Sequence, residues 1–318
     1  MDAAPGRGGG AMKSESGPGS APMVSVVVPV YNDVDRLRLC LDALAAQQYP
    51  HDRLEVVVVD NSSTEDLRPA LPDDDRFRLV AEQRRGSYAA RNTGVSVATG
   101  TVLAFTDADC RPHPDWLANA VARLETADRP DAVGGAIHLV FRHGSAATSG
   151  PELYELLHGF QQARYIEKFS FAATANLVVQ AAAFRRVGNF DASLKSGGDL
   201  NWGTRLAASG GTLVFSEHAV VDHPSRPSWR DLAQKSLRVA TGLADGSGPT
   251  TRRELLASAR HEARTAASVW LRVWSQELPA SLPAKVRYAA AFTLVRLVRC
   301  GVALRRAAAS HPGRRGPS

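Results

Sequence analysis

Two hydrophobic periods alternate along the first third of the chain. Residues 24–30 (VSVVVPV) form a β-branched run, predicting a strand covered on both faces. Behind it Val34, Leu37, Leu41 and Leu44 recur every three or four positions, which predicts an amphipathic helix with Asn32 or Asp33 at its cap. The same alternation continues with strands at 54–59 (LEVVVV), 77–81 and 102–106, and helices at 87–98 and 114–125, the last opening on a proline. Residues 131–223 mix the two types: strands at 132–140, 176–179, 212–215 and 219–221, and helices near 153–167 and at 199–208. Beyond Arg226 the pattern is helical, broken at 242–250 and at Pro279 and Pro283.

Near-continuous apolar strands separated by helices argue for an α/β fold with a mostly parallel sheet and helices on both faces. Such sheets bind ligands beyond the carboxyl ends of their strands. Those ends read Pro29-Val30-Tyr31-Asn32, Asp60-Asn61-Ser62-Ser63 and Asp107-Ala108-Asp109, so polar and acidic groups are expected to converge on one rim.

With 44% hydrophobic and 22% charged residues the chain has the material for a sizeable core and no disordered or fibrous bias. Cys40, Cys110 and Cys300 are odd in number and never paired as C-x-x-C, so neither a disulfide framework nor a zinc knuckle is indicated, and a reducing, cytoplasmic setting is expected. Residues 1–22, rich in Gly, Pro, Ser and Ala, lack the apolar stretch of a secretory signal and read as a disordered leader; 311–318 read as a disordered tail. The formal charge of +6 is unevenly spread: residues 226–318 hold 17 Lys and Arg against 5 Asp and Glu.

A D-x-D triplet alone is a weak signal, since Asp33-Val34-Asp35 and Asp73-Asp74-Asp75 also fit. Only Asp107-Ala108-Asp109 directly follows a buried-type strand (VLAFT), where two carboxylates project together at a sheet edge. Hard cations such as Mg²⁺ and Mn²⁺ need such oxygen ligands, and a solvated acidic turn is the competing reading. Asp60, ending four valines, is placed either to accept bonds from a ribose or to cap the next turn. No G-x-G-x-x-G follows the first strand and no G-x-x-x-x-G-K-[ST] occurs, which argues against nicotinamide and P-loop chemistry.

Four ordered motifs, VSVVVPVYN (24–32), VVVVDNSS (56–63), GSYAARNTG (86–94) and TDAD (106–109), followed by VGNFD (187–191), SGGDLNWGTRL (196–206) and VDHP (221–224), resemble the inverting family 2 glycosyltransferases of GT-A fold. The resemblance covers about residues 24–226. It implies a Rossmann-like GT-A catalytic domain over 23–226, with a nucleotide-binding half (23–112) and an acceptor half (113–226), and leaves 227–310 as a basic helical extension. It also implies transfer from a nucleotide-diphosphate sugar, a UDP-sugar by default with dTDP- or GDP-sugars open, to a saccharide, lipid-linked or small-molecule hydroxyl.

Carried over position by position, the resemblance assigns Pro29, Tyr31, Asp60, Asn61, Arg91 and Asp107 to the nucleotide-sugar. Asp109, with Asp107 and His223, would hold Mn²⁺ or Mg²⁺, and Asp199 would be the catalytic base. Asp191 and Trp202 would lie on the acceptor side. Two departures stand out: Gly198 replaces the acidic residue common before the base, and Asn61 replaces a second aspartate. His223 and Trp202 each have a bland alternative, a loop hydrogen bond for the first and core packing for the second.

The apolar stretch 286–304 contains Arg296 and Arg299, each costing about 2.5–3.5 kcal/mol at a bilayer centre, so a span is disfavoured. With Trp270, Trp274, Tyr288 and Phe292 among basic residues, contact with an anionic membrane surface and packing on the catalytic domain remain the two leading readings; nucleic acid is not expected. Two rival functions are a non-catalytic nucleotide-sugar-binding protein and a sugar-1-phosphate nucleotidyltransferase. The missing glycine- and arginine-rich loop after the first strand disfavours the second.

Overall fold

The computed structural model describes residues 21–144, 146–246, 251–273 and 281–310. Most of the expected leader, the expected tail, Trp274 and Pro279 lie outside the described residues. In chain order the elements are β1 (Val24–Val30), α1 (Val34–Ala45), β2 (Leu54–Asp60), β3 (Phe77–Ala81), α2 (Ser87–Val97), β4 (Val102–Phe105), β5 (Arg111–Pro112), α3 (Trp116–Leu124), β6 (Ala132–Val140), α4 (Gly150–His158), α5 (Gln162–Phe169), β7 (Leu177–Gln180), α6 (Ala181–Val187), α7 (Gly198–Ala208), β8 (Leu213–Pro224), α8 (Trp229–Gly246), α9 (Arg252–Arg272) and α10 (Leu282–Ala309).

One eight-stranded sheet runs β3-β2-β1-β4-β7-β6-β8-β5. The β3-β2-β1-β4 half is parallel throughout; β7 runs antiparallel to both β4 and β6, and β5 antiparallel to β8, so the sheet is mixed rather than uniformly parallel. Alternation explains how both faces are covered. On β1 and β2, Val24, Val26, Val28, Leu54, Val56 and Val58 join one core under α1 and α3, while Val27, Val57 and Val59 join a second core with α2, α6 and α7. The fold thus puts the carboxyl ends of β1, β2 and β4 side by side, as the parallel pairing requires.

Several boundaries differ from expectation. Neither Asn32 nor Asp33 caps α1 through its side chain: Asp33 pairs with Arg36, and Asn32 instead accepts the Thr64 N–H. The predicted 114–125 helix starts two residues later, at Trp116, and the predicted helix near 153–167 is two helices broken at Gly159 and Phe160, the latter with φ 45°. The strands expected at 212–215 and 219–221 are one long strand, β8, which starts at Leu213 and whose pairing with β6 shifts register between Gly135 and Ala136.

The basic extension packs against α4 of the α/β domain. Leu153 of α4 shares a core with Val269, Val273, Tyr288, Ala289 and Phe292, and Leu232 of α8 packs with Ala291 and Val295. Tyr288 and Phe292, two of the aromatics considered for lipid contact, are therefore buried, while Trp270 is 40% exposed. No helix among the described residues is long and apolar enough to cross a membrane.

Candidate active site

The carboxyl ends of β1 and β4, the start of α7 and the extension enclose a cleft of about 1150 Å³. Pro29, Tyr31, Arg91, Asp107, Asp109, Asp199 and His223 all line it. Seven residues spread over almost two hundred positions are brought together because β1, β4 and β8 end, and α2 and α7 begin, at the same edge of the sheet.

Arg91, 3% exposed on α2, pairs its guanidinium with Asp107 at the end of β4. Asp109 follows one turn on. His223, 2% exposed at the end of β8, directs Nε2 toward Asp109 Oδ1 at 3.8 Å. Its Nδ1 lies 2.7 Å from the Pro224 carbonyl, an acceptor, so the proton sits on Nδ1 and Nε2 presents its lone pair to the carboxylates. Burial pushes the His223 pKa down, against the pull of Asp109, and keeps the ring neutral. Ligand atoms of Asp107, Asp109, Cys110 and His223 all lie within 4.8 Å of one another. Two carboxylates and a neutral imidazole fit a Mn²⁺- or Mg²⁺-class ion. Burial raises the Cys110 thiol well above its usual range, so this sulfur stays protonated.

Asp199 sits in the first turn of α7, walled by protein yet facing the cleft. Its Oδ1 accepts the Leu200 N–H at 2.9 Å and the Tyr88 hydroxyl at 3.4 Å. A helix N-terminus favours the ionised form, but desolvation outweighs those hydrogen bonds and the nearby Arg91 charge, and the carboxyl pKa is raised. Gly198, the departure noted above, has a steric cause: a Cβ there would meet the Tyr88 ring at 2.6 Å. Tyr88, unpicked from sequence although it lies inside the GSYAARNTG stretch, fills the place of an acidic neighbour.

Other expected site residues act at one remove. Asn61, 6% exposed, donates to the Glu82 and Arg84 carbonyls and accepts the Gly86 N–H at 2.7 Å, so it braces the loop that carries Arg85 and Gly86 into the cleft. Asp60 accepts the Ser63 N–H at 2.8 Å beside the rim, in register with Val30, and is not among the cleft-lining residues. Asp191 is exposed and binds Ser193 outside the cleft, and Trp202 is 1% exposed, donating to the Gly188 carbonyl and stacking on Phe184. Both acceptor-side assignments are corrected: Trp202 is core, because α7 turns its indole toward α6.

The sequence reading missed the far wall. Glu155 of α4, 1% exposed, accepts from Arg226 Nη1 and Lys235 Nζ, both at 2.8 Å. Lys235 Nζ lies 5.0 Å from the Phe160 ring, which in turn contacts His223 at 4.4 Å between centroids. The break between α4 and α5 is what swings Phe160 into this position. His158, packed among Tyr154, Tyr288 and Phe292, is pushed down to about 4 by burial and is neutral.

The sequence profile described as "Glycosyl transferase family 2" matches residues 25–188. Glycosyltransferase AglE of Haloferax volcanii is 36% identical over 226 residues, covering 70% of this chain and 73% of that protein. The pre-mycofactocin glycosyltransferase of Mycobacterium tuberculosis is 30% identical over 67% of this chain, which spans 45% of that relative. Among solved structures, a mannosyltransferase of Pyrobaculum calidifontis in complex with GDP-Man and Mn²⁺ superimposes with a TM-score of 0.54 at 24% identity, covering 92% of this chain and 76% of the other. The profile spans β1 through α6 and so takes in the β1 and β4 ends of the cleft, and the fold agrees with it: the chain belongs to glycosyl transferase family 2 and is a glycosyltransferase of GT-A fold.

Proposed function

We propose that the chain catalyses inverting, metal-dependent transfer of a sugar from a nucleotide-diphosphate donor to a hydroxyl acceptor, with Asp199 as general base. The observation that carries this reading is the convergence of Asp107, Asp109 and His223 on a cleft that Asp199 also faces. The mannosyltransferase with GDP-Man and Mn²⁺ supports the donor class and the ion. A divalent cation held by Asp109, Asp107 and the His223 Nε2 would supply positive charge for the departing diphosphate.

The remaining work falls to the chain's own groups. Pro29 and Tyr31 line the nucleotide end of the cleft, and Arg85, 5.4 Å from the Tyr31 ring, closes its edge. Arg91 fixes the Asp107 carboxylate so that the cluster is preorganised. Asp199 takes the acceptor's proton at a carboxylate oxygen while the oxygen attacks C1; its raised pKa makes it a stronger base than a solvated aspartate. The Tyr88 hydroxyl holds its orientation. The exposed Trp229, Leu271, Leu297 and Leu304 on the basic extension support a peripheral contact with an anionic membrane surface.

A thermal-shift panel of UDP-, GDP- and dTDP-sugars with and without Mn²⁺ tests the reading. The matching donor at 100 times its Kd adds about 2.7 kcal/mol of stability. No Mn²⁺-dependent shift with any nucleotide sugar would overturn it.

A further inference from the structure

At the β5 edge of the sheet, beyond the cleft, three stretches of chain bring two imidazoles and a carboxylate together. β6 and β8 run parallel, with His138 in register with Asp222. Partners in register project on the same side of a sheet, and successive residues of a strand on opposite sides. Asp222 therefore departs from β8 on the side opposite to His223, its neighbour, which lines the cleft. Along the other edge of β8, β5 pairs Arg111 with Asp222 and Pro112 with Val221, and the next residue is His113.

The His113 Nε2 lies 3.1 Å from Asp222 Oδ1, and the His113 and His138 rings meet edge to face with centroids 6.0 Å apart. One donor atom from each of His113, His138 and Asp222 falls within 4.8 Å of the other two. Zinc holds imidazole nitrogen and carboxylate oxygen at about 2.0–2.2 Å in a tetrahedron, which sets neighbouring donors about 3.3 Å apart. The His113–Asp222 separation is already close to that spacing. His138 is exposed and makes no hydrogen bond among the described residues, so its ring is free to swing and close the remaining gap. Asp222 pairs with His113 and not with Arg111, its cross-strand neighbour.

The backbone beneath these donors is fixed. The His113 N–H donates to the Val220 carbonyl at 3.0 Å, and its own carbonyl accepts from Nε2 of the buried Gln47 at 2.7 Å. Strand pairing holds His138 and Asp222, and donors set on such elements keep their places better than donors on loops. A plain His–Asp hydrogen bond accounts for His113 and Asp222 but leaves the second imidazole without a purpose.

We infer that His113, His138 and Asp222 form a second metal site, for a divalent ion of the zinc class, with a coordination position open to solvent. Imidazole nitrogen suits Zn²⁺ and Co²⁺, whereas Mg²⁺ and Mn²⁺ prefer oxygen, so this site selects differently from the carboxylate-rich cluster in the cleft. An ion there ties β5 and β6 to β8. Asp109 stands two residues before β5 and His223 directly after Asp222, so the same ion braces the two strands that carry those side chains to the cleft.

Titration of the untagged full chain with Co²⁺, followed by the visible absorption of four-coordinate cobalt, tests the inference. It is run on wild type and on Asp109→Asn, which cripples the cluster in the cleft. The absorption is expected in both, to saturate at one Co²⁺ per chain in Asp109→Asn, and to be abolished by Zn²⁺ but not by excess Mg²⁺. His138→Gln, a change at an exposed position that does not threaten the fold, is expected to weaken binding about tenfold or more, since losing a ligand costs at least as much as losing its outer-shell partner. Asp222→Asn should do the same, and His51→Gln, in the separate surface group with Asp74 and Asp75, should change nothing. The inference is overturned if no cobalt absorption develops, if His138→Gln and Asp222→Asn both bind as their parent does, or if His51→Gln removes the signal. It is equally overturned if the absorption of wild type is absent from Asp109→Asn, which would put the ion in the cleft.

Discussion

Asp199→Asn separates chemistry from architecture more cleanly than any other change in this molecule. Asparagine keeps the shape of the side chain, and its Oδ1 can still accept the Leu200 N–H that Asp199 accepts at 2.9 Å. The local helix start is therefore preserved, and the structural change is about 1 kcal/mol or less. Its sign follows from the pKa. A carboxyl whose folded pKa is raised stabilises the fold fully below its unfolded pKa and loses that contribution as pH rises through the folded one, so at neutral pH the aspartate is a liability. Relative to wild type, the variant's Tm should be more favourable at pH 7 than at acid pH. The chemical loss is much larger: without a base, kcat should fall by on the order of 10² to 10⁴, or about 3–5 kcal/mol of barrier. Steady-state nucleotide release gives kcat, and titration with donor and Mn²⁺ gives a Kd that should hold. In wild type, the acid limb of kcat should lie above the ordinary carboxylate range and disappear in the variant. Retention of more than a tenth of the turnover would refute the assignment.

Asp109→Asn should abolish Mn²⁺-dependent donor binding by titration calorimetry, while the same change at the exposed Asp35 or Asp75 should leave it unaltered. Glu155→Gln should cost about 3–5 kcal/mol in denaturant unfolding, because Arg226 and Lys235 lose the carboxylate they share; an unchanged midpoint would argue against that network. Phe292→Ala, opened in the core between α4 and α10, should cost about 3–5 kcal/mol, and full stability would mean that the extension does not pack as described. Binding of the chain to anionic vesicles in sedimentation should weaken as salt rises; salt-insensitive binding would point to insertion, and none to packing alone.

The strands were legible where burial and sequence coincide. β1, β3 and β6 fall where their runs were read, β3 between the polar Arg76 and Glu82 and β6 directly after Asp131. Pairing direction was not legible: nothing within Leu177–Gln180 encodes that it runs against both neighbours, which is a consequence of the connections around it. The break at Gly159 was hidden because Leu153, Leu157, Phe160 and Ala163 continue a three-to-four spacing across it. Tertiary contact decides there, since Phe160 gains a place against His223 and Lys235 that a continuous helix would deny it.

The site was legible to the extent that strand ends carry it. Asp107 and Asp109 declared themselves by following a buried strand, and the structure brings Arg91 and His223 to them. Residues acting from helices gave fainter signals. Lys235 follows Leu232 by three and precedes Val239 by four, so a cation interrupts the face that α8 buries. Glu155 carries no such mark, because its neighbours on the helix face, Pro151, Glu152, His158 and Gly159, form no apolar stripe. A charge on an apolar face needs a partner, so the sequence asks for one for Lys235 without saying where it lies. The fold supplies Glu155, and that pair ties the extension to α4. The division at residue 226 therefore separates two stretches of sequence that share one cleft.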